Sequence, residues 1–280
     1  PGAVERGIGR QVLAQVREAD ALVLVLRAFE DPSVPGETDP LEALQLVTFE
    51  LAVADATSVE AHLAKRRKAA TADRSLAAEV AALEAAATSL NEGVPLWRAD
   101  LDADQRGVLR PFFLLTNKPV LAVVNVGEEQ LAEADALAKA VADELGGAEV
   151  LAMCVRLERE VAQLDPVERA ELAEGLGLGE GALARLARAA YRLIGRETFF
   201  TTGEKESRAW TFRSGSRAPE CAGVIHSDLQ RGFIRAEVIR WDELVAFGSW
   251  QAARAAGRVR VEGKEYVVVD GDVLEIRFNV

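Results

Sequence analysis

Three short apolar runs set the frame of this chain. Val120-Leu121-Ala122-Val123-Val124 carries no charge, enters from Pro119 and leaves into the polar Asn125-Val126-Gly127-Glu128. Residues 21–27 form a second run of the same kind, and residues 150–154 a third. Uninterrupted apolar runs of this length predict strands buried on both faces, as in a parallel sheet between helices. Helical periodicity lies between them. Ile8, Val12, Leu13 and Val16 share one face over roughly 9–19, and Leu131, Ala134, Leu137, Val141 and Leu145 share one over 130–145. Further helices are expected at 102–114, around 158–164, and from about 180 to 193. The alternation of strand and helix is that of an α/β domain.

One stretch interrupts this alternation. Leu44, Val47, Leu51 and Ala54, then Leu76, Val80, Leu83, Ala87 and Leu90, repeat at helical spacing on either side of Lys65-Arg66-Arg67-Lys68. Two striped helices joined by a charged turn predict an antiparallel helical hairpin, closed by Asn91-Glu92-Gly93-Val94-Pro95. Beyond Gly195 the pattern becomes short alternating segments. Strands are expected at 198–202, 208–212, 234–239, 266–269 and 273–278, helices near 218–225 and 242–256, and a tight turn at Asp270-Gly271-Asp272. That pattern describes a separate α+β domain of about 80 residues.

Composition narrows the function. The formal net charge is -12, which excludes a bulk electrostatic nucleic-acid or membrane binder. The charge is uneven: 197–280 holds 12 Lys+Arg against 13 Asp+Glu, leaving about -11 for 1–196. The last third is the better place for a polyanion contact. Cys154 and Cys221 are far apart and outside any Cys-x-x-Cys spacing, so neither a disulfide framework nor a zinc site is expected, and a cytoplasmic setting is. No apolar run approaches the roughly 20 residues needed to span a bilayer. The chain begins at Pro1 rather than Met, in what reads as a loop, so an N-terminally incomplete sequence is expected.

In open α/β sheets ligands bind beyond the carboxyl ends of the strands, which is where Asn125 and Glu128 fall. An Asn amide offers one acceptor and two donors in a plane, suited to a purine edge, and a nearby carboxylate can accept from an exocyclic amine. The same four residues also read as an ordinary loop. The next strand end, Met153-Cys154-Val155-Arg156, stands where a nucleotide-binding domain places a second base-binding loop, and this favours base recognition. Lys65-Arg66-Arg67-Lys68 reads as a solvated helix tip. Arg208, Arg231 and Arg235, with Trp210 and Phe233, form a basic and aromatic nucleic-acid surface or else pair with Glu204, Glu206 and Glu237. His226 reads as a structural hydrogen-bonded histidine and His62 as a solvated one.

The run Phe200-Thr201-Thr202-Gly203-Glu204-Lys205-Glu206-Ser207-Arg208-Ala209-Trp210-Thr211 is followed by Ala222-Gly223-Val224-Ile225-His226-Ser227-Asp228 and Arg231-Gly232-Phe233-Ile234-Arg235. With the run from Gly263 to the end, and with Ala19-Asp20-Ala21, Phe29-Glu30-Asp31 and Lys118-Pro119-Val120-Leu121 upstream, these resemble the YchF family of Obg-like P-loop ATPases over nearly the whole chain. The resemblance implies a GTPase-like parallel sheet, here truncated, in 1–40 and 96–196. It also implies an inserted antiparallel coiled-coil hairpin in 41–95 and a C-terminal ubiquitin-like (β-grasp) TGS domain in 197–280.

It further implies ATP as ligand with GTP possible, Mg2+ in the complete protein, a ribosomal RNA partner that Lys65-Arg66-Arg67-Lys68 can meet, and a monomer. Asn125, Val126, Gly127 and Glu128 fall on the base-recognition motif, Asn-x-x-Glu in place of Asn-Lys-x-Asp. Losing the Asp that pairs with guanine removes the preference for it. Val126 matches the adenine-contacting position, and Cys154-Val155-Arg156 matches a Ser-Ala-Lys from which it departs. Pro1-Gly2 resembles the end of Asp-x-x-Gly, and Ala3 stands at the water-positioning place, where it cannot orient a water. No Gly-x-x-x-x-Gly-Lys-Ser/Thr occurs in the 280 residues, so the chain as written is not expected to hydrolyse nucleotide.

Overall fold

The computed structural model describes residues 8–165, 167–168, 171–172, 181–203 and 206–279. It divides into two compact units, Pro1–Leu193 and Ile194–Val280. Pro1-Gly2, Ala3 and Glu204 lie outside the described residues.

In the first unit α1 (Arg10–Glu18) leads into β1 (Leu22–Arg27), which pairs in parallel with β2 (Val120–Asn125), as β2 does with β3 (Val150–Met153). β2 is central and its five apolar residues are all buried. On one face Leu44 and Leu51 of α2 (Pro40–Ala70) and Val141 of α5 (Ala134–Glu144) meet Leu26, Val120, Ala122 and Val124. On the other, Ala182 and Ala189 of α7 (Ala182–Leu193) pack on Leu121, Val123, Leu151 and Met153.

β1 departs from the expectation of burial on both faces. Among the described residues it lies at the edge of the sheet, with Val25 69% exposed, and α7 packs over β2 and β3.

α2 is about 46 Å long at 1.5 Å per residue. Asp39 caps it by accepting from the Leu41 N–H, and Pro40 starts it where a missing N–H costs nothing. Its first half belongs to the sheet core. Its second half packs Val59 and Leu63 against Leu83, Ala86 and Leu90 of α3 (Ala77–Asn91), with Leu96, Leu109 and Phe112 beneath. The basic run does not form the joining turn. Lys65-Arg66-Arg67-Lys68 lies within the last turns of α2, where the helix dipole favours cations, and the chain reverses over 71–76.

Asp55 pins the long helix to the turn that leads into β2. Its buried carboxylate accepts from the N–H groups of Leu115 (2.8 Å) and Thr116 (2.7 Å) and from the Thr116 hydroxyl (2.8 Å). Burial pushes its pKa up, against these donors and the nearby Arg17. Residues 102–114 form less helix than expected. α4 (Ala103–Leu109) passes into a tighter turn at Pro111, and Phe113 adopts φ 53°, redirecting the chain toward β2.

The second unit is a mixed five-stranded sheet. β4 (Arg196–Thr202), β5 (Ser207–Arg213), β6 (Phe233–Arg240), β7 (Arg260–Glu262) and β8 (Asp272–Phe278) lie in the order β5-β4-β8-β6-β7, and only β4 and β8 are parallel. α8 (Ala218–Ile225) buries Cys221 and Ala222 against Phe199, Phe212, Val238 and Leu274, and α9 (Ser227–Arg231) follows it.

The helix expected over 242–256 is two, α10 (Trp241–Phe247) and α11 (Trp250–Ala255). Gly248 at φ 71° ends the first and the Ser249 hydroxyl caps the second. The strand expected at 266–269 is replaced by a loop. The Tyr266 hydroxyl (2.7 Å) and the Val269 N–H (3.0 Å) both donate to buried Asp272, and only Val267 bridges, to Arg217. β7 takes the edge position instead.

Candidate functional site

The three parallel strands end in register, with Arg27 beside Asn125 and Asn125 beside Met153. The 125–128 and 154–156 segments therefore leave the same rim of the sheet. α6 (Val155–Ala162) begins three residues earlier than its periodicity suggests, so Val155 and Arg156 occupy its first turn. A first-turn N–H has no partner within its own helix. Here the Asn125 Oδ1 accepts from the Val155 N–H at 3.1 Å, joining the two strand ends and leaving the Asn125 amide N–H groups as donors.

Glu128 and Arg156 close the same rim. Arg156 Nη2 (2.6 Å) and Nε (3.2 Å) both donate to Glu128 Oε1. This carboxylate pushes the guanidinium pKa further up. Val126 faces inward: its side chain is in the sheet core and its N–H donates to the Met153 carbonyl at 3.1 Å, so a base would meet it at the main chain. Cys154 is likewise buried in that core. Gly127 donates its N–H to Gln130 Oε1 (2.9 Å), and Gln130 Nε2 donates onward to the Ala28 carbonyl beyond β1 (2.8 Å). Sequence reasoning passed over Gln130. Its place three residues after Gly127, the position from which a side chain reaches back to a helix start, was the available signal.

The basic residues of each unit have their own neighbours. Arg66 pairs with Glu79 (2.8 Å) and Arg67 with Glu84 (2.7 Å), bracing α2 against α3. Lys65 and Lys68 have no carboxylate partner among the described residues. In the second unit Arg208 lies over the Trp210 ring at 4.1 Å and Arg231 pairs with Asp228. Arg235 is exposed, whereas Glu237 pairs with Arg254 and Arg277 instead. Phe233 is buried and cannot belong to a surface.

His226 is structural, its Nδ1 accepting from the Asp228 N–H at 3.1 Å. His62 is half-buried rather than fully solvated: it packs edge-on against Phe112 at 5.0 Å, and its pKa is lowered by burial and then by Lys65, Arg66 and Arg17.

A parallel sheet sandwiched by helices, with polar loops converging at its strand ends, defines the class of α/β proteins that place ligands at that rim. Comparison with known proteins makes this specific. The family model YchF-GTPase_C, described as a protein of unknown function (DUF933), matches residues 197–279. The ribosome-binding ATPase YchF of Bacillus subtilis (strain 168) is 40% identical over 282 residues, covering 98% of this chain and 77% of its own length. That of Mycoplasma genitalium is 38% identical, with the same coverage of both. The structure of the Schizosaccharomyces pombe YchF GTPase superposes with a TM-score of 0.84 at 31% identity, over 97% of this chain and 75% of that one. The chain belongs to the YchF family.

Proposed function

We propose that this chain binds the base of a purine nucleotide, ATP with GTP as a possible second ligand, between residues 125–128 and 154–156, and that it acts at the ribosome. The observation that carries the reading is the hydrogen bond from the Val155 N–H to Asn125. It fixes the Asn amide at the rim with its two donors free for a purine acceptor. Glu128 supplies the carboxylate that receives an exocyclic amine. The relatives' names, ribosome-binding ATPase, support both the ligand and the partner.

The 280 residues contain no Gly-x-x-x-x-Gly-Lys-Ser/Thr to cradle the phosphates. Among the described residues no group of three or more His, Cys, Asp or Glu could hold a metal ion. We read 1–40 and 96–196 as the two parts of a GTPase-like domain, 41–95 as its coiled-coil arm, and 197–280 as a TGS domain. The match of the family model to 197–279 supports the last.

The test is a titration of the full chain with ATP, followed by amide NMR shifts. Saturable shifts at 125–128 and 154–157 that Asn125→Ala removes are the expected result. Shifts absent there, or unchanged in Asn125→Ala, overturn the base site. A second reading, an RNA- or protein-binding adaptor without turnover, is favoured by Lys65 and Lys68, whose ammonium groups have no carboxylate partner among the described residues. It predicts ribosome co-sedimentation that Lys65→Ala with Lys68→Ala weakens and that ATP leaves unchanged.

A further inference from the structure

We infer that Arg156 sets the choice of purine through Glu128, by filling one carboxylate oxygen and leaving a single acceptor oxygen for the base. The inference rests on the base-site reading above and deepens it.

The argument is one of counting acceptors. An ionised carboxylate has two oxygens, each able to accept about two hydrogen bonds. Both donors of Arg156 fall on the same oxygen, Oε1, at 2.6 and 3.2 Å, which saturates it. Oε2 remains. Guanine presents a ring N–H beside an exocyclic amine, and a carboxylate satisfies that pair by giving one oxygen to each. Adenine presents one exocyclic amine beside a ring acceptor, so one free oxygen suffices. With Oε1 occupied, guanine's two donors must share Oε2, as those of Arg156 share Oε1 with the second contact lengthened to 3.2 Å, and they face the N–H groups of a guanidinium. A weakened donor at a binding contact is a penalty against the wrong ligand.

The bridge has no evident structural task to explain it otherwise. The side chains are 74% and 42% exposed, and an exposed ion pair contributes little to folding. It links residues 28 apart in sequence, and both partners emerge from the rim where Asn125 ties the strand ends together. Arg156 is thus a positioning residue, acting on the base through Glu128.

The experiment measures ATP and GTP affinity of the full chain by calorimetry for wild type, Arg156→Ala, Glu128→Gln and the double variant. The exposed position of Arg156 keeps the folded chain available for comparison. Arg156→Ala is expected to lower the ATP-to-GTP affinity ratio about tenfold, chiefly by strengthening GTP binding. Arg156→Lys, with one ammonium in place of a two-pronged donor, is expected to keep part of the ratio. In the Glu128→Gln background Arg156→Ala should leave the ratio unmoved, a coupling that mere local packing would not produce. A wild type that binds ATP and whose ratio is unaltered by Arg156→Ala overturns this inference alone. A wild type with no saturable signal for either nucleotide overturns the base site and this inference with it.

Discussion

Replacing Asp55 by alanine tests how the 31-residue helix α2 is joined to the turn that leads into β2. The carboxylate is fully buried and serves three donors, the N–H groups of Leu115 and Thr116 and the Thr116 hydroxyl, at 2.7–2.8 Å. Alanine leaves the two main-chain donors without partners in a site closed to solvent, whereas the hydroxyl still accepts from the Leu96 N–H at 3.2 Å. An orphaned buried donor costs about 1–3 kcal/mol, more when its lost partner was charged. Two such losses, not strictly additive, give about 3–5 kcal/mol, the size found when one member of a buried charged contact is removed.

Folded domains have about 5–15 kcal/mol in total, so the change is severe but survivable. The assay is amide hydrogen exchange at Leu115 and Thr116, where protection should fall about a hundredfold or more. Asp55→Asn keeps the volume and one acceptor but turns an N–H donor toward the Thr116 N–H, and should lose about 2–3 kcal/mol. Protection within about threefold of wild type in Asp55→Ala would show that packing of Leu44 and Leu51, not this carboxylate, holds the helix in place.

Other outcomes follow from single contacts. The pKa of His62 is lowered by burial, then by Lys65, Arg66 and Arg17. Below its ordinary value of 6.5 the unfolded chain takes up a proton before the folded one does. The stability it supports above that pH is therefore lost as pH falls, and the urea midpoints near pH 7.5 and 5.5 should differ less in His62→Gln than in wild type. Gly271→Ala forces a side chain into φ 85° with its Cβ 2.9 Å from Trp241 Cδ1, and thermal denaturation should show a loss of about 1–3 kcal/mol. Cys221 is buried, which together with Glu220, Asp272 and Glu197 pushes its thiol up to about 12. Peptide-level alkylation near pH 8 should miss it in the folded chain and find it in urea.

The apolar run of β2 announced a central strand because both faces of that strand are in fact covered. The run at 21–27 has the same composition yet lies at an edge among the described residues, and local pattern records what a strand could bury, not which neighbours cover it. The run at 266–269 is as β-branched as any strand here. It is a loop because the Asp272 carboxylate, a residue outside the run, takes the Val269 N–H. At the rim, Asn125 and Glu128 were legible from their place after a buried strand. The 154–156 strand end was legible as the neighbouring loop, but the pairing of Val155 with Asn125 and of Arg156 with Glu128 was not, because it depends on the register of β3 against β2.

Gln130 has a mechanical consequence. With one amide it grips the turn after β2 and the carbonyl of Ala28, while the Ala28 N–H holds the Asn125 carbonyl at 2.9 Å. The peptide leaving β1 and the peptide leaving β2 are thereby cross-braced, like two rails on a shared tie. An occupant that shifts 125–128 by a fraction of an ångström would load the 28–39 segment at once, and that segment ends on Asp39, the cap that starts α2.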